Sequence, residues 1–147
     1  MTMSDDTDLK ERYQSLEWHG LMEGEESVTS HSLLTFTYEY PGSDAEIVID
    51  TDEFTTVCPW TGLPDQGKLT VRYVPNQLCV ELKSFKYYLL SYRNVGIVQE
   101  HAANRILKDL VATCDPLRMD LSLDYNPRGG LHTIVAVNYE RTSTANP

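Results

Sequence analysis

Apolar and polar positions alternate through much of this chain. Leu69, Val71 and Tyr73 alternate with Thr70 and Arg72, and Leu117, Met119, Leu121, Leu123 and Tyr125 alternate with Arg118, Asp120, Ser122 and Asp124. A two-residue period sends successive side chains to opposite faces of a pleated strand, so each run predicts a strand with one buried face. Leu131, Thr133, Val135, Val137 and Tyr139 repeat the pattern after Asn126-Pro127-Arg128-Gly129-Gly130, which predicts a hairpin. Nearer the N-terminus, Leu33 to Tyr40 and Ala45 to Asp50 flank the turn-forming cluster Pro41-Gly42-Ser43-Asp44 and predict another hairpin. Phe54, Thr56 and Cys58 share one face of the next strand, which Gly62-Leu63-Pro64-Asp65 breaks.

The period changes to that of a helix in the middle of the chain. From Ser84 to Arg93, Phe85, Leu89 and Tyr92 fall on one side while Lys83, Lys86 and Arg93 project from the other. Asn94-Val95-Gly96 ends this helix. A second helix is expected from Val98 to Cys114, with Ala103, Leu107, Leu110, Val111 and Cys114 facing inward and Asp115-Pro116 stopping it. Strands, two consecutive helices and a closing hairpin imply an α+β fold, with both helices on one face of an antiparallel sheet.

Residues 1–30 are polar and rich in Asp and Glu, with scattered Tyr13, Leu16, Trp18 and Leu21, and are expected to form a mobile leader. Residues 31–147 form a single domain, which suits a chain of 147 residues. No apolar run approaches the roughly 20 residues of a membrane span, and the acidic start lacks the basic-then-apolar pattern of a secretory signal. A cytoplasmic protein is expected. Three cysteines, Cys58, Cys79 and Cys114, cannot all pair within one chain, and no structural disulfide is expected.

A formal net charge of -10 argues against general nucleic-acid binding, which needs clustered Lys and Arg. The charge is uneven, however. Between Glu81 and Glu100 there is no acid, while Lys83, Lys86 and Arg93 fall inside that window. Such an island suits a phosphate-bearing ligand, although a solvated helix face has the same composition. No glycine-rich dinucleotide fingerprint or phosphate-binding loop is present, and the Cys and His residues lack a compact metal-ligand spacing.

Cys58 is followed by a turn that returns at Asp65. A nucleophilic thiol needs ionisation, positioning and a nearby proton donor, and these two residues would supply them. Alone, such a pair is far more often a small core cysteine beside an unrelated acid. Cys79 and Cys114 fit the core reading. Glu100 stands in the first turn of the second helix, where the helix N-terminus favours its ionised form, and such a carboxylate can accept paired N–H donors from a flat heterocycle. His101 points toward Arg105 and Lys108 and is expected in solvent.

Cys58-Pro59-Trp60-Thr61-Gly62-Leu63-Pro64-Asp65, Glu81-Leu82-Lys83-Ser84-Phe85-Lys86-Tyr87-Tyr88 and Ser91-Tyr92-Arg93-Asn94 together resemble the short form of the NADPH-dependent 7-cyano-7-deazaguanine reductase family. The resemblance runs from about Thr35 to Tyr139 and includes Asn104 to Leu110 and Arg128-Gly129-Gly130. It implies the tunnelling fold, assembled as rings with active sites between subunits. It also implies an NADPH-dependent nitrile reductase of queuosine biosynthesis, with no metal required. In that reading Cys58 forms a thioimidate with the nitrile and Asp65 donates the proton. Val80, Glu81, Leu82, Gln99 and Glu100 contact the base, and Lys83, Ser84, Lys86 and Tyr87 hold NADPH. The position before Glu100, a His in the best-known members, is Gln99, which can hydrogen-bond a base but does not titrate near neutrality. The competing readings are a non-redox enzyme of the same fold, either amidine-forming or a zinc-dependent cyclohydrolase, and a deazapurine-binding protein without catalysis.

Overall fold

Burial follows the alternating positions. Leu69, Val71, Tyr73, Met119, Leu121, Leu123 and Tyr125 are all at most 2% exposed. The computed structural model describes residues 6–16, 18 and 20–142. In chain order its elements are α1 (Asp6–Gln14), β1 (Thr35–Thr37), β2 (Ile47–Val57), β3 (Pro64–Val74), β4 (Leu78–Val80), α2 (Leu82–Leu90), α3 (Gln99–Cys114), β5 (Arg118–Tyr125) and β6 (Ile134–Glu140). The long strands form an antiparallel sheet in the order β2-β3-β5-β6, and β1 and β4 form a separate antiparallel pair. One face of the large sheet meets Phe85 and Tyr88 of α2, Tyr92 just beyond it, and Ala102, Ala103, Ile106, Leu107, Leu110 and Cys114 of α3 in a single core. The α+β class with antiparallel sheets is therefore as expected, and both helices lie on one face.

Three local expectations are corrected. Leu33 to Tyr40 does not pair with Ala45 to Asp50: β1 pairs with β4, and β2 with β3. Leu34 is tied to the start of α2, accepting the Glu81 N–H at 2.9 Å and donating to the Ser84 hydroxyl at 2.9 Å. These contacts hold the first run away from β2. Second, Pro64 and Asp65 do not only break β2; they begin β3, with Asp65 opposite Thr56. Third, the buried stripe of α3 includes Ala102 and Ile106, while Val111 is only half-buried.

α2 begins at Leu82 because Glu81 caps it. Its carboxylate accepts the backbone N–H groups of Lys83 and Ser84 at 2.9 and 2.7 Å, satisfying donors that a helix start leaves unpaired. A buried network joins the helices. Tyr88 donates to Asp109 at 2.7 Å and lies 2.9 Å from the Tyr92 hydroxyl, and Arg105 Nε donates to the same Asp109 oxygen at 2.9 Å.

The chain joins the body ahead of residue 30. Glu23 N–H donates to Asn94 O at 2.6 Å, Gly96 N–H donates to Glu23 O at 2.8 Å, and Val28 lies in the core. Residues 95–97, which Glu23 holds, brace β2 at its end: Val57 donates to Val95 O at 2.9 Å and accepts from the Ile97 N–H at 3.1 Å. The residue before Cys58 is thereby fixed from both sides.

Candidate active site around Cys58

The connection between β2 and β3 is a tight loop. Cys58 N–H donates to Leu63 O at 2.9 Å and Gly62 N–H to Cys58 O at 2.8 Å. Gly62 has φ +71, a left-handed value that a side chain resists, so the closure depends on glycine there. The loop turns the backbone N–H groups of Trp60 and Thr61, and the Thr61 hydroxyl, toward the buried sulfur of Cys58. Burial pushes the thiol up, but these donors and the Arg128 guanidinium outweigh it and bring the pKa down to about 7. Cys79 and Cys114 contrast with it: burial raises both, Cys114 to about 12, and they remain core thiols.

Asp65 stands on β3, 3% exposed, with its Oδ1 accepting from Arg128 Nη1 at 2.6 Å. Arg128 reaches in from the β5–β6 connection, and its other terminal nitrogen is 3.5 Å from the Thr61 hydroxyl. One guanidinium therefore serves the acid, the turn and the thiol. Cys58, Thr61, Asp65, Arg128, Gln99 and Glu100 line a cavity of about 510 Å³, a size suited to a small ligand. Tyr125 places the head of α3 there, its hydroxyl donating to Gln99 O at 3.3 Å. Thr56, two residues before Cys58, is fully buried, and among the described residues its hydroxyl is the one buried side-chain polar atom lacking a hydrogen-bond partner. An unpaired buried hydroxyl costs about 1–3 kcal/mol.

A second cavity, about 880 Å³, lies between β2 and α2 and is lined in part by Trp18, Leu82, Lys86 and Arg93. Asn126 lines both cavities. The basic island is less isolated in space than along the chain: Lys86 Nζ pairs with Glu53 Oε2 of β2 at 2.5 Å, which also lowers the Glu53 pKa. Lys83 is exposed, its ammonium 5.9 Å from the centre of the Tyr87 ring. Ser84 is buried, with its hydroxyl donating to Glu81 O at 2.8 Å as well as accepting from Leu34. Val80 is buried in β4, its N–H donating to the Tyr73 hydroxyl at 3.0 Å, and Leu82 is 61% exposed. Within one chain, Cys58, Asp65, Gln99 and Glu100 come together, whereas Val80, Glu81 and Leu82 do not line their cavity. Among the described residues, no three His, Cys, Asp or Glu side chains are grouped so as to hold a metal ion.

The family described as QueF-like protein matches residues 64–144. The chain is 52% identical over 118 residues to the NADPH-dependent 7-cyano-7-deazaguanine reductase of Caldicellulosiruptor bescii, a match covering 80% of this chain and 90% of that protein. It is 42% identical over 133 residues to the protein of the same name from Gloeothece citriformis, covering 90% and 96% of the two chains. This chain belongs to the QueF family. A crystal structure of an archaeosine synthase QueF-Like in the apo form superposes with a TM-score of 0.62 at 22% identity, over 68% of this chain and 98% of that one, and so shares the fold.

In this QueF-family chain, two contributors to the site were not singled out by sequence. Arg128 lies 63 positions from Asp65, and only its place beside Gly129 and Gly130, in a loop expected to close a hairpin, set it apart. The Thr61 hydroxyl and amide act through loop geometry, which residue spacing does not encode.

Proposed function

We propose that this chain reduces the nitrile of 7-cyano-7-deazaguanine to the primary amine of 7-aminomethyl-7-deazaguanine, with NADPH as the reductant, in the cytoplasm and on the route to the tRNA nucleoside queuosine. The observation that carries the reading is the thiol of Cys58, with a pKa brought down to about 7, in a cavity that also holds Asp65. Near neutrality about half of such a thiol is thiolate, the form that attacks an electrophilic carbon.

The thiolate adds to the nitrile carbon. A carbon–sulfur bond forms, one π bond of the nitrile opens, and its electron pair moves to nitrogen, which takes the proton carried by Asp65. The product is a thioimidate on Cys58. Gln99 and Glu100, at the head of α3, grip the edge of the deazaguanine. NADPH, when bound, supplies one hydride for each of the two reduction stages. Cys58 departs as thiolate after the first stage, leaving an imine for the second.

The chain's own residues fit such a ligand. Lys86 and Arg93 line the larger cavity, Lys83 and Tyr87 lie on the open side of α2, and a phosphate group would take the place that Glu53 occupies at Lys86. Ser84 supports this surface by fixing the start of α2. That both cavities share Asn126 is consistent with substrate and reductant meeting beside the Cys58 turn.

Val80, Glu81 and Leu82 do not line the Cys58 cavity of their own chain, which supports a site completed by a neighbouring copy in a ring assembly, with rings stacked into the tunnel that names the fold. Exposed Leu82 is suited to such a contact. The mechanism is tested by mass spectrometry of protein mixed with the nitrile and no NADPH. The parent chain gains the mass of one substrate on Cys58, and Cys58→Ala gains none. Full turnover by Cys58→Ala would show that the thioimidate is not on the path.

A further inference from the structure

Asp65 is given two incompatible tasks by the reaction proposed above. In the structure its Oδ1 is held by Arg128 at 2.6 Å, yet the proposed reaction needs the same carboxyl to release a proton as the thiolate attacks. The two ends of this ion pair differ in freedom. The Asp65 side chain is 2% exposed and fixed within β3, while that of Arg128 is 40% exposed on a loop whose Gly129 and Gly130 both adopt left-handed backbone angles. If the pair opens, Arg128 is the group that moves. The proton count then closes without any outside donor: Cys58 and Asp65 together hold one proton, which rests on Asp65 while Cys58 is thiolate and passes to the nitrile nitrogen as the carbon–sulfur bond forms.

A buried carboxyl that loses its guanidinium needs another partner to keep its orientation. Arg128 meets Asp65 from the β5–β6 loop, Cys58 shares that guanidinium from the end of β2, and Tyr125 stands near from β5 with its hydroxyl already given to Gln99 O. Thr61, Gln99 and Glu100 line the same cavity, and Thr56 adjoins Asp65 from β2. It lies directly opposite Asp65 in the β2–β3 register, and opposed residues of an antiparallel pair present their side chains to the same face with Cβ atoms about 4.5–5.5 Å apart. Its hydroxyl is wholly buried and has no hydrogen-bond partner. Buried polar atoms are nearly always paired, so an orphan beside the proton donor marks a partner taken up in another state of the site.

We propose that Thr56 is a positioning residue for Asp65: its hydroxyl donates to the carboxyl oxygen that Arg128 gives up and turns the acid's O–H toward the Cys58 cavity. The inference rests on the nitrile-reductase reading, and its test is arranged so that the two fail separately. Thr56→Val keeps the shape and removes the hydroxyl, whereas Thr56→Ser keeps the hydroxyl. Thioimidate formation is followed in single turnovers with 7-cyano-7-deazaguanine and no NADPH, across substrate concentrations. The expected result for Thr56→Val is a maximal rate about tenfold lower, with the half-saturating concentration unchanged and the pH dependence of Cys58 alkylation by iodoacetamide unchanged. Thr56→Ser returns the rate to within about twofold of the parent. Thermal melting of Thr56→Val is expected at or above the parent temperature, because a methyl replaces an unpaired hydroxyl. A parent-like rate in Thr56→Val overturns the proposal, as does failure of Thr56→Ser to restore a lost rate or an alkylation profile that moves with the rate. Absence of any adduct in the parent chain would instead overturn the nitrile-reductase reading itself.

Discussion

A thiol with a pKa near 7 inside a protein reflects two opposed effects, and at Cys58 the hydrogen-bond donors win over burial. Because the folded group ionises around pH 7, adduct formation is expected to fall as pH drops through that value, when the thiolate is protonated. Arg128 contributes to this balance, so removing it deprives the sulfur of a charged donor. Arg128→Leu is expected to move the pH midpoint of Cys58 alkylation upward and to slow alkylation at pH 7 by roughly threefold to tenfold, the scale of one lost charge-assisted contact. A midpoint left near 7 would assign the lowered pKa to the turn alone. Cys58, Asp65 and Glu100, which line one cavity, could be picked out as candidates because their residue types and the turn between the first two are local. Arg128 and the unpaired hydroxyl of Thr56 could not, since their places beside Asp65 come from a distant loop and from cross-strand register rather than from spacing in the chain.

At the scale of elements, the site depends on how closely β3 and β5 approach. Gly67 lies between Phe54 and Tyr125 in the sheet, and a Cβ there would come within 2.6 Å of Asp124 O and 2.9 Å of Tyr125 Cα. Backbone atoms cannot yield as a flexible side-chain end can. Gly67→Ala is therefore expected to cost about 1–3 kcal/mol, measured as a lower urea midpoint, and to displace Tyr125 from Gln99 at the head of α3. The alternating strands and both helices were readable from period alone. The pairing of Leu33 to Tyr40 was not: a turn-forming cluster predicts a hairpin locally, but the tie from Leu34 to Glu81 and Ser84 draws that run to β4, and no local pattern records it.

Across the whole molecule, the parts of the proposed reaction are distributed over two cavities that share Asn126. The Cys58 turn, the head of α3 and the β5–β6 loop form the chemical end, while the basic side of α2 and the larger cavity form the end suited to a dinucleotide. The acid-free window from Glu81 to Glu100 pointed to this second region, but Glu53, far away in sequence, supplies the missing acid in space. Pairing with Glu53 leaves Lys86 available to a stronger anion, since the contact is exposed and such pairs contribute little stability. Central to the proposed reaction is that the nitrile is carried through two reductions by the same site. The measurement that tests it most directly follows NADPH oxidation by absorbance with 7-cyano-7-deazaguanine while the amine product is quantified. The account predicts two NADPH oxidised for each 7-aminomethyl-7-deazaguanine formed. Adduct formation with no NADPH oxidised, or one NADPH oxidised with no amine released, would contradict it.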